Sequence, residues 1–302
     1  MVRLAHFSDI HISSKKLDWL FRDYFNKRLP GWINHRLLGR GYIFRNAERV
    51  LQSLFSELRQ RPLDWLVFSG DATAMGFEAE IRRATELMNL DNGNILDGIA
   101  VPGNHDYHNA YAAKSGLFER YFAHWQKGER IGEEIYPFAQ KVKGIWLIGI
   151  NSSSGNRFPW DATGRAGKSQ IERLEQLFHK LDDSPKVVVT HYPVCIANGG
   201  PESIFRLLRD LDEVVRVAEQ AKVCLWLHGH RHRAYQLAEH KYASFPVICS
   251  GSATQNNKWS YGEYVLKDST CEILRRAYDP DTGSFQDILT TSLPLSCRIP
   301  AE

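Results

Sequence analysis

The sequence predicts a layered α/β fold, and two observations carry that prediction. Short runs rich in Val and Ile alternate with longer segments of helical periodicity along the 302 residues. A 43% hydrophobic content is enough to bury a substantial core, yet no run reaches the roughly 18 apolar residues of a membrane-spanning helix.

Strands are expected at Val2–Ser8, Asp64–Ser69, Ile95–Val101, Ile145–Ile150, Val187–Thr190, Val223–Leu227 and Pro246–Ser250, with a strand pair near Gly262–Leu266 and Cys271–Ala277. Helices are expected at Phe44–Gln60, Glu78–Met88, Lys114–Trp125, Lys168–Leu181 and Glu202–Glu219. The clearest is 168–181, where Ile171, Leu174, Leu177, Phe178 and Leu181 keep helical spacing. Trp226 and Phe245 read as core. No linker or repeat interrupts the pattern, so residues 1–302 read as one domain. The N-terminus runs straight into a strand without the features of a signal peptide. The five cysteines (Cys195, Cys224, Cys249, Cys271, Cys297) never occur as C-x-x-C. That argues against a disulfide framework or a zinc–thiolate site and makes a reducing cytoplasm the simplest compartment.

Polar clusters follow these strands. They are Ser8-Asp9-Ile10-His11, Gly70-Asp71, Gly103-Asn104-His105-Asp106, His191-Tyr192-Pro193 and His228-Gly229-His230-Arg231-His232. Ligand sites of open α/β sheets lie at the carboxyl ends of strands, so five strand ends deliver carboxylates, an amide and imidazoles to one edge. Such donors, without thiolates, suit hard or borderline divalent metals. If D-x-H and H-x-H are extended, residues i and i+2 point the same way and can share one ion. Gly70, Gly103 and Gly229 are expected to let backbone approach the site closely. A histidine at any one strand end would usually be a satisfied core or surface residue; it is the ordered set that carries weight.

The series D-x-H, G-D, G-N-H-D, isolated His and G-H-x-H resembles the calcineurin-like metallophosphoesterases, and the resemblance covers about residues 4–232. It implies a four-layer α-β-β-α sandwich and two divalent metal ions: Mn first, with Fe, Zn or Mg as alternatives. Asp9, His11 and His232 would hold one ion, Asn104, His191 and His230 the other, and Asp71 would bridge them. His105 would stand near the scissile phosphate as the catalytic acid or charge stabiliser, oriented by Asp106. The implied chemistry is hydrolysis of a phosphodiester or pyrophosphate bond by in-line attack of a metal-activated hydroxide. Ala72 stands where a larger apolar residue is common after the Asp, and that departure removes no ligand. Because no ligand is missing, a purely structural scaffold is disfavoured.

Charge is local. Residues 15–45 carry eight basic and two acidic side chains, net +6, in a chain whose total is +3. Within this insertion Leu17, Leu20, Phe21, Tyr24 and Phe25 fall on one helical face, and Pro30-Gly31 is expected to break that helix. Three readings stay open: a segment packed on the domain, a membrane-surface element over 17–38, or an apolar wall that admits acyl chains. Nucleic acid fits poorly, since no base-stacking motif accompanies the charge. Among relatives with an insertion after D-x-H, the pattern is similar to UDP-2,3-diacylglucosamine pyrophosphatases of lipid A synthesis. That implies a nucleotide-linked lipid substrate and a cytoplasmic protein peripheral to the inner membrane face. Cyclic-nucleotide or glycerophosphodiester phosphodiesterase activity is the alternative, with a protein phosphatase third. Asn151, Arg157, Trp160, Tyr107 and His108 are candidate substrate contacts, with Tyr192 beside them.

Overall fold

The computed structural model describes residues 1–90 and 96–300. Two sheets form the centre. The first orders as β13–β12–β11–β1–β2–β3, with β1 Val2–Phe7, β2 Trp65–Phe68, β3 Gly98–Ala100, β11 Ser260–Lys267, β12 Thr270–Asp279 and β13 Ser284–Pro294. The second orders as β4–β5–β6–β7–β8–β10–β9, with β4 Glu129–Arg130, β5 Phe138–Val142, β6 Ile145–Gly149, β7 Lys186–Val189, β8 Val223–His228, β9 Tyr235–Leu237 and β10 Val247–Cys249. The helices are α1 Arg28–Leu37, α2 Arg40–Ile43, α3 Ala47–Leu58, α4 Glu78–Met88, α5 Ala110–Lys114, α6 Leu117–Tyr121, α7 Lys168–Lys180 and α8 Leu211–Gln220.

Side-chain alternation along the strands sorts the core into three apolar layers. Val2, Leu4 and Val67 of the first sheet meet Leu147, Val187, Val189 and Leu225 of the second. Ala5, Phe7, Leu66 and Phe68 face the other way, onto Val50, Leu54 and Phe55 of α3 and Ile81 of α4. Trp146, Ile148, Val188 and Trp226 pack on Leu174 and Leu177 of α7 and Val214 and Val217 of α8. Three apolar interfaces require four layers, the expected α-β-β-α sandwich. Within it β1, β2 and β3 run parallel, as do β6, β7 and β8. Their carboxyl ends therefore share an edge. No described helix is long and apolar enough to cross a membrane.

Several local expectations are corrected. The helix expected over 114–125 is split at Gly116, which takes φ +64. The helix expected from Glu202 begins only at Leu211, because the preceding residues pair with another loop: Ala162 N–H donates to the Phe205 carbonyl and Gly164 N–H to that of Leu207. Periodicity gave no sign of β4, β5, β9 or β13, and Ile95, the expected first residue of the third strand, lies outside the described residues. The supposed amphipathic helix over 17–25 is a single 3-10 turn, Phe21–Phe25, and it is inverted. Asp23 is fully buried while Phe21 is 81% exposed. The reason is an ion pair: Asp23 accepts from the Arg28 guanidinium at 2.9 Å, and Arg28 donates onward to the carbonyls of Met75 and Gly76. Leu17, Trp19 and Trp32 pack on Ala74, Met75 and Phe77, so part of the insertion does dock on the domain. Pro30 does not break a helix. It lies in the first turn of α1, where a missing N–H costs nothing.

Candidate metal centre

Each ligand-type residue leaves the carboxyl end of a parallel strand: Asp9 and His11 after β1, Asp71 after β2, Asn104 after β3, His191 after β7, His230 and His232 after β8. The turns that present them are not extended. Asp9, His11, Asp71, His230 and His232 all have positive φ, between 43° and 69°. The i, i+2 reasoning thus reached the right neighbours by the wrong geometry; tight left-handed turns aim these side chains, a cost of the kind tolerated where surrounding structure fixes the backbone. That structure is visible. Ser252 Oγ donates to the Asp9 carbonyl at 2.7 Å, Thr254 Oγ1 to that of Ile10 at 2.6 Å, and Ala253 N–H to that of Ser8 at 3.0 Å. Gly103 and Gly229 are required by close approach: a Cβ would stand 2.1 Å from Asp71 Oδ1 and 2.0 Å from Ser8 Oγ, respectively.

Two groups of donor atoms meet at one oxygen. In the first, His232 Nε2 lies 3.1 Å from Asp9 Oδ1 and 3.0 Å from His11 Nε2, which lies 3.5 Å from Asp71 Oδ2. The four residues offer ligand atoms all within 4.8 Å of one another. In the second, His191 Nε2 is 3.1 Å from Asn104 Oδ1 and 3.4 Å from the same Asp71 Oδ2, and His230 Nδ1 is 2.9 Å from Asn104 Oδ1.

The donor set fits divalent cations. His191 Nδ1 faces the Ser69 carbonyl at 2.8 Å and His232 Nδ1 faces Gln255 Oε1 at 2.6 Å. Each Nδ1–H is therefore spent on an acceptor, and each Nε2 lone pair points inward. Asp9 Oδ1 is buried without a hydrogen-bond donor. Burial raises the Asp9 and Asp71 carboxyls, but the surrounding imidazoles outweigh it and hold both well below the ordinary range. Burial lowers His191, yet the Asp71 carboxylate overrides it and lifts that imidazole to about 9, so Nε2 beside Asp71 presents its lone pair only where a cation takes the place of its proton. Converging lone pairs around ionised carboxylates call for positive charge at this spot.

The Asp71 end opens into a cleft of about 680 Å³. His105, His108 and Trp160 line it; Asn151, Arg157 and Tyr107 do not. Asn151 is occupied by Gln170 and Ser153, Tyr107 donates its hydroxyl to Glu119, and Arg157 lies over Phe158. Tyr192 is buried beneath His230, its hydroxyl on the Ala162 carbonyl. Asp106 does not orient His105. Its carboxylate accepts from the N–H groups of Asp71, Thr73 and Gly103, bracing the turn that carries Asp71. The His105 ring is held instead by the Ala74 carbonyl, 2.7 Å from Nδ1. Motif reading missed the cleft's cations Lys27, Arg40, Arg206, Arg231 and Lys258. The local +6 charge was a signal for the first two, and Arg231 sits inside the His228–His232 block; nothing in the sequence marks Arg206 or Lys258 as neighbours.

The calcineurin-like phosphoesterase family model matches residues 2–234, and the chain belongs to that family. A probable cyclic nucleotide phosphodiesterase of Synechococcus sp. is 28% identical over 185 residues, 61% of this chain. The match spans 63% of that relative's length, less than two thirds. Among solved structures, a dimetal phosphatase from Danio rerio superposes with a TM-score of 0.63 at 14% identity, over 96% of this chain and 99% of that one. A purple acid phosphatase from yellow lupin (Lupinus luteus) gives 0.58 at 12% identity, over 97% of this chain and 53% of that one. At such identities these two likenesses speak for the fold.

Proposed function

We propose that this calcineurin-like phosphoesterase hydrolyses a phosphodiester bond, with Asp9, His11 and His232 holding one divalent ion, Asn104, His191 and His230 a second, and Asp71 both. The carrying observation is the meeting of both donor groups at Asp71 Oδ2. Two ions held there would supply Lewis acidity toward phosphoryl oxygens and acidify water. The chain does the rest. Asp106 fixes the turn that presents Asp71, and Gln255 and Ser69 fix the tautomers of His232 and His191. Lys27 lines the cleft beneath α1; burial lowers its ammonium to about 8 against the pull of Asp161 and Asp71. It adds positive charge for an anionic substrate.

The substrate reading favoured is a nucleotide phosphodiester, the class named for the Synechococcus relative. Trp160 supports it, being 65% exposed on the cleft wall and stacked on Phe158 at 5.0 Å, a ready face for a base. A second reading, a pyrophosphate-linked lipid such as UDP-2,3-diacylglucosamine, is favoured by one observation. Leu37 and Leu38, at the end of the α1 wall, are more than 70% exposed, as are Phe21 and Phe25 nearby in sequence. Manganese-loaded protein offered bis-p-nitrophenyl phosphate, cyclic AMP and UDP-2,3-diacylglucosamine in detergent separates them. Conversion of cyclic AMP to AMP supports the first reading, and UMP release alone replaces it with the second. Turnover of none of the three sinks both.

A further inference from the structure

We propose that Cys297 and Cys224 form an oxidisable dithiol: a hydroperoxide oxidises Cys297, and Cys224 resolves it to a disulfide that ties the segment after β13 to β8. The pair lies at the end of the sandwich away from the metal centre, where β7 and β8 begin at Lys186 and Val223. It does not rest on the function proposed above.

Two segments bring the sulfurs together. Lys186 pairs with Val223 and Val187 with Leu225, so Cys224 is the extra residue of a β-bulge in β8, a device that re-aims a side chain. Its Sγ lies 3.3 Å from the Lys186 carbonyl, and its side chain joins the apolar layer between the sheets. The segment after β13 crosses that layer. Leu295 N–H donates to the Ser269 carbonyl at 2.9 Å and Ile299 N–H to that of Asp268 at 2.6 Å, with both side chains buried. Between these two ties, Ser296 Oγ donates to the Val223 carbonyl at 3.4 Å, and the Cys297 thiol is hydrogen-bonded with that of Cys224.

Cys297 is also the reachable thiol. It is half-buried, whereas the other four cysteines are buried. It lines a cavity of about 860 Å³ together with Lys186, Lys222 and Arg298 and with the carboxylates Glu175 and Asp183. The hydrogen bond with Cys224, and then the Lys186 ammonium, draw the Cys297 thiol below its ordinary value against burial; the same hydrogen bond and burial push Cys224 up. Exposure and this asymmetry assign the roles, since the thiolate is the nucleophile. The Cys297 thiolate attacks an oxygen of the hydroperoxide, the O–O bond breaks, and the departing hydroxide or alkoxide takes a proton from water. The Cys224 sulfur then attacks the Cys297 sulfenic acid. The S–S bond forms, the S–O bond breaks, and hydroxide leaves with the Cys224 proton as water. Two electrons pass from the pair to the peroxide, and a thiol reductant returns them.

The test is hydrogen peroxide added to reduced, purified wild type, Cys297→Ser and Cys224→Ala, read by mass spectrometry and thermal melting. Wild type should lose two hydrogens in intact mass, and its peptides carrying Cys224 and Cys297 should run joined until dithiothreitol separates them. Its Tm should rise by about 4–8 °C and return on reduction, the scale for closing a long loop in a chain of this size. Cys297→Ser, altered at a half-buried position, should show neither change. Cys224→Ala should stop at the sulfenic acid and yield a dimedone adduct on Cys297. Thiols that all survive peroxide in wild type overturn the proposal. So does Cys297 that gains two oxygens as sulfinic acid while Cys224 stays free, or a disulfide that joins any other pair. None of these readouts uses turnover, so the dinuclear reading can fail without touching them.

Discussion

The floor and the wall of the cleft are built on opposite plans. The floor consists of short turns at the carboxyl ends of parallel strands, mostly buried and braced from behind by Asp106, Ser69, Gln255 and Ser252. The wall is a basic insertion of two helices and a 3-10 turn, held by one buried ion pair and a small apolar patch, with large side chains in solvent. On the function proposed above, the difference teaches a division of labour: the floor would fix which bond chemistry is available, while the wall would decide what is brought to it.

The sharpest way to break this comparison is at the floor. Asp71→Asn removes charge at the atom both donor groups share. Metal stoichiometry by mass spectrometry should drop and turnover should fall by about 10³ or more, the scale of losing an essential group. Near-normal rates from metal-depleted Asp71→Asn protein would dissolve the distinction. The wall has its own weak point at Arg28→Ala, which leaves Asp23 buried and unpaired, a loss typically of about 3–5 kcal/mol. Here we expect the insertion to become sensitive to protease while metal content stays intact; loss of metal would show that floor and wall are one unit.

A smaller effect concerns pH. Burial raises the Glu80 carboxyl to about 8, against the N–H groups of Met75 and Phe77 that it accepts from. Because its folded value lies above the ordinary carboxyl range, the stabilisation it gives is complete at acid pH, below about 4.5, and is lost as pH rises through about 8. The melting temperature of wild type should fall relative to Glu80→Gln between pH 6 and pH 9, and parallel curves would refute the assignment. The smallest effect is expected from replacing Phe21, Phe25, Leu37 and Leu38 together with serine. Cleavage of a soluble diester should hold within about twofold. Sedimentation with anionic phospholipid vesicles should weaken only if the lipid reading of the wall is right.

The floor could be read from the sequence because each ligand block abuts a strand, and parallel strands deliver their ends to one edge. What could not be read was how the blocks are turned: positive φ at Asp9, His11 and His232 is set by tertiary hydrogen bonds, not by local composition. The wall defeated periodicity for a related reason. The apolar row from Leu17 to Phe25 suggested a single apolar helical face, yet the Asp23–Arg28 pair took the interior and left Phe21 and Phe25 outside. Cleft residues such as Arg206, Gln255 and Lys258 come from segments with no shared motif. Asp106 was correctly placed near the site but assigned to the wrong partner, because a carboxylate three residues from a glycine turn finds backbone donors before it finds a side chain.

The three strands that complete the first sheet lie beyond residue 234, where the family match ends, and β11 pairs antiparallel with β1. During synthesis β1 and its Asp9–His11 turn leave the ribosome first, while Ser252, Thr254 and β11 that seat them emerge some 250 residues later. The nascent chain must therefore hold one edge of β1 unpaired until those segments have emerged. A product truncated after the final ligand, His232, would keep every ligand in sequence but lack the clamp that seats the first two.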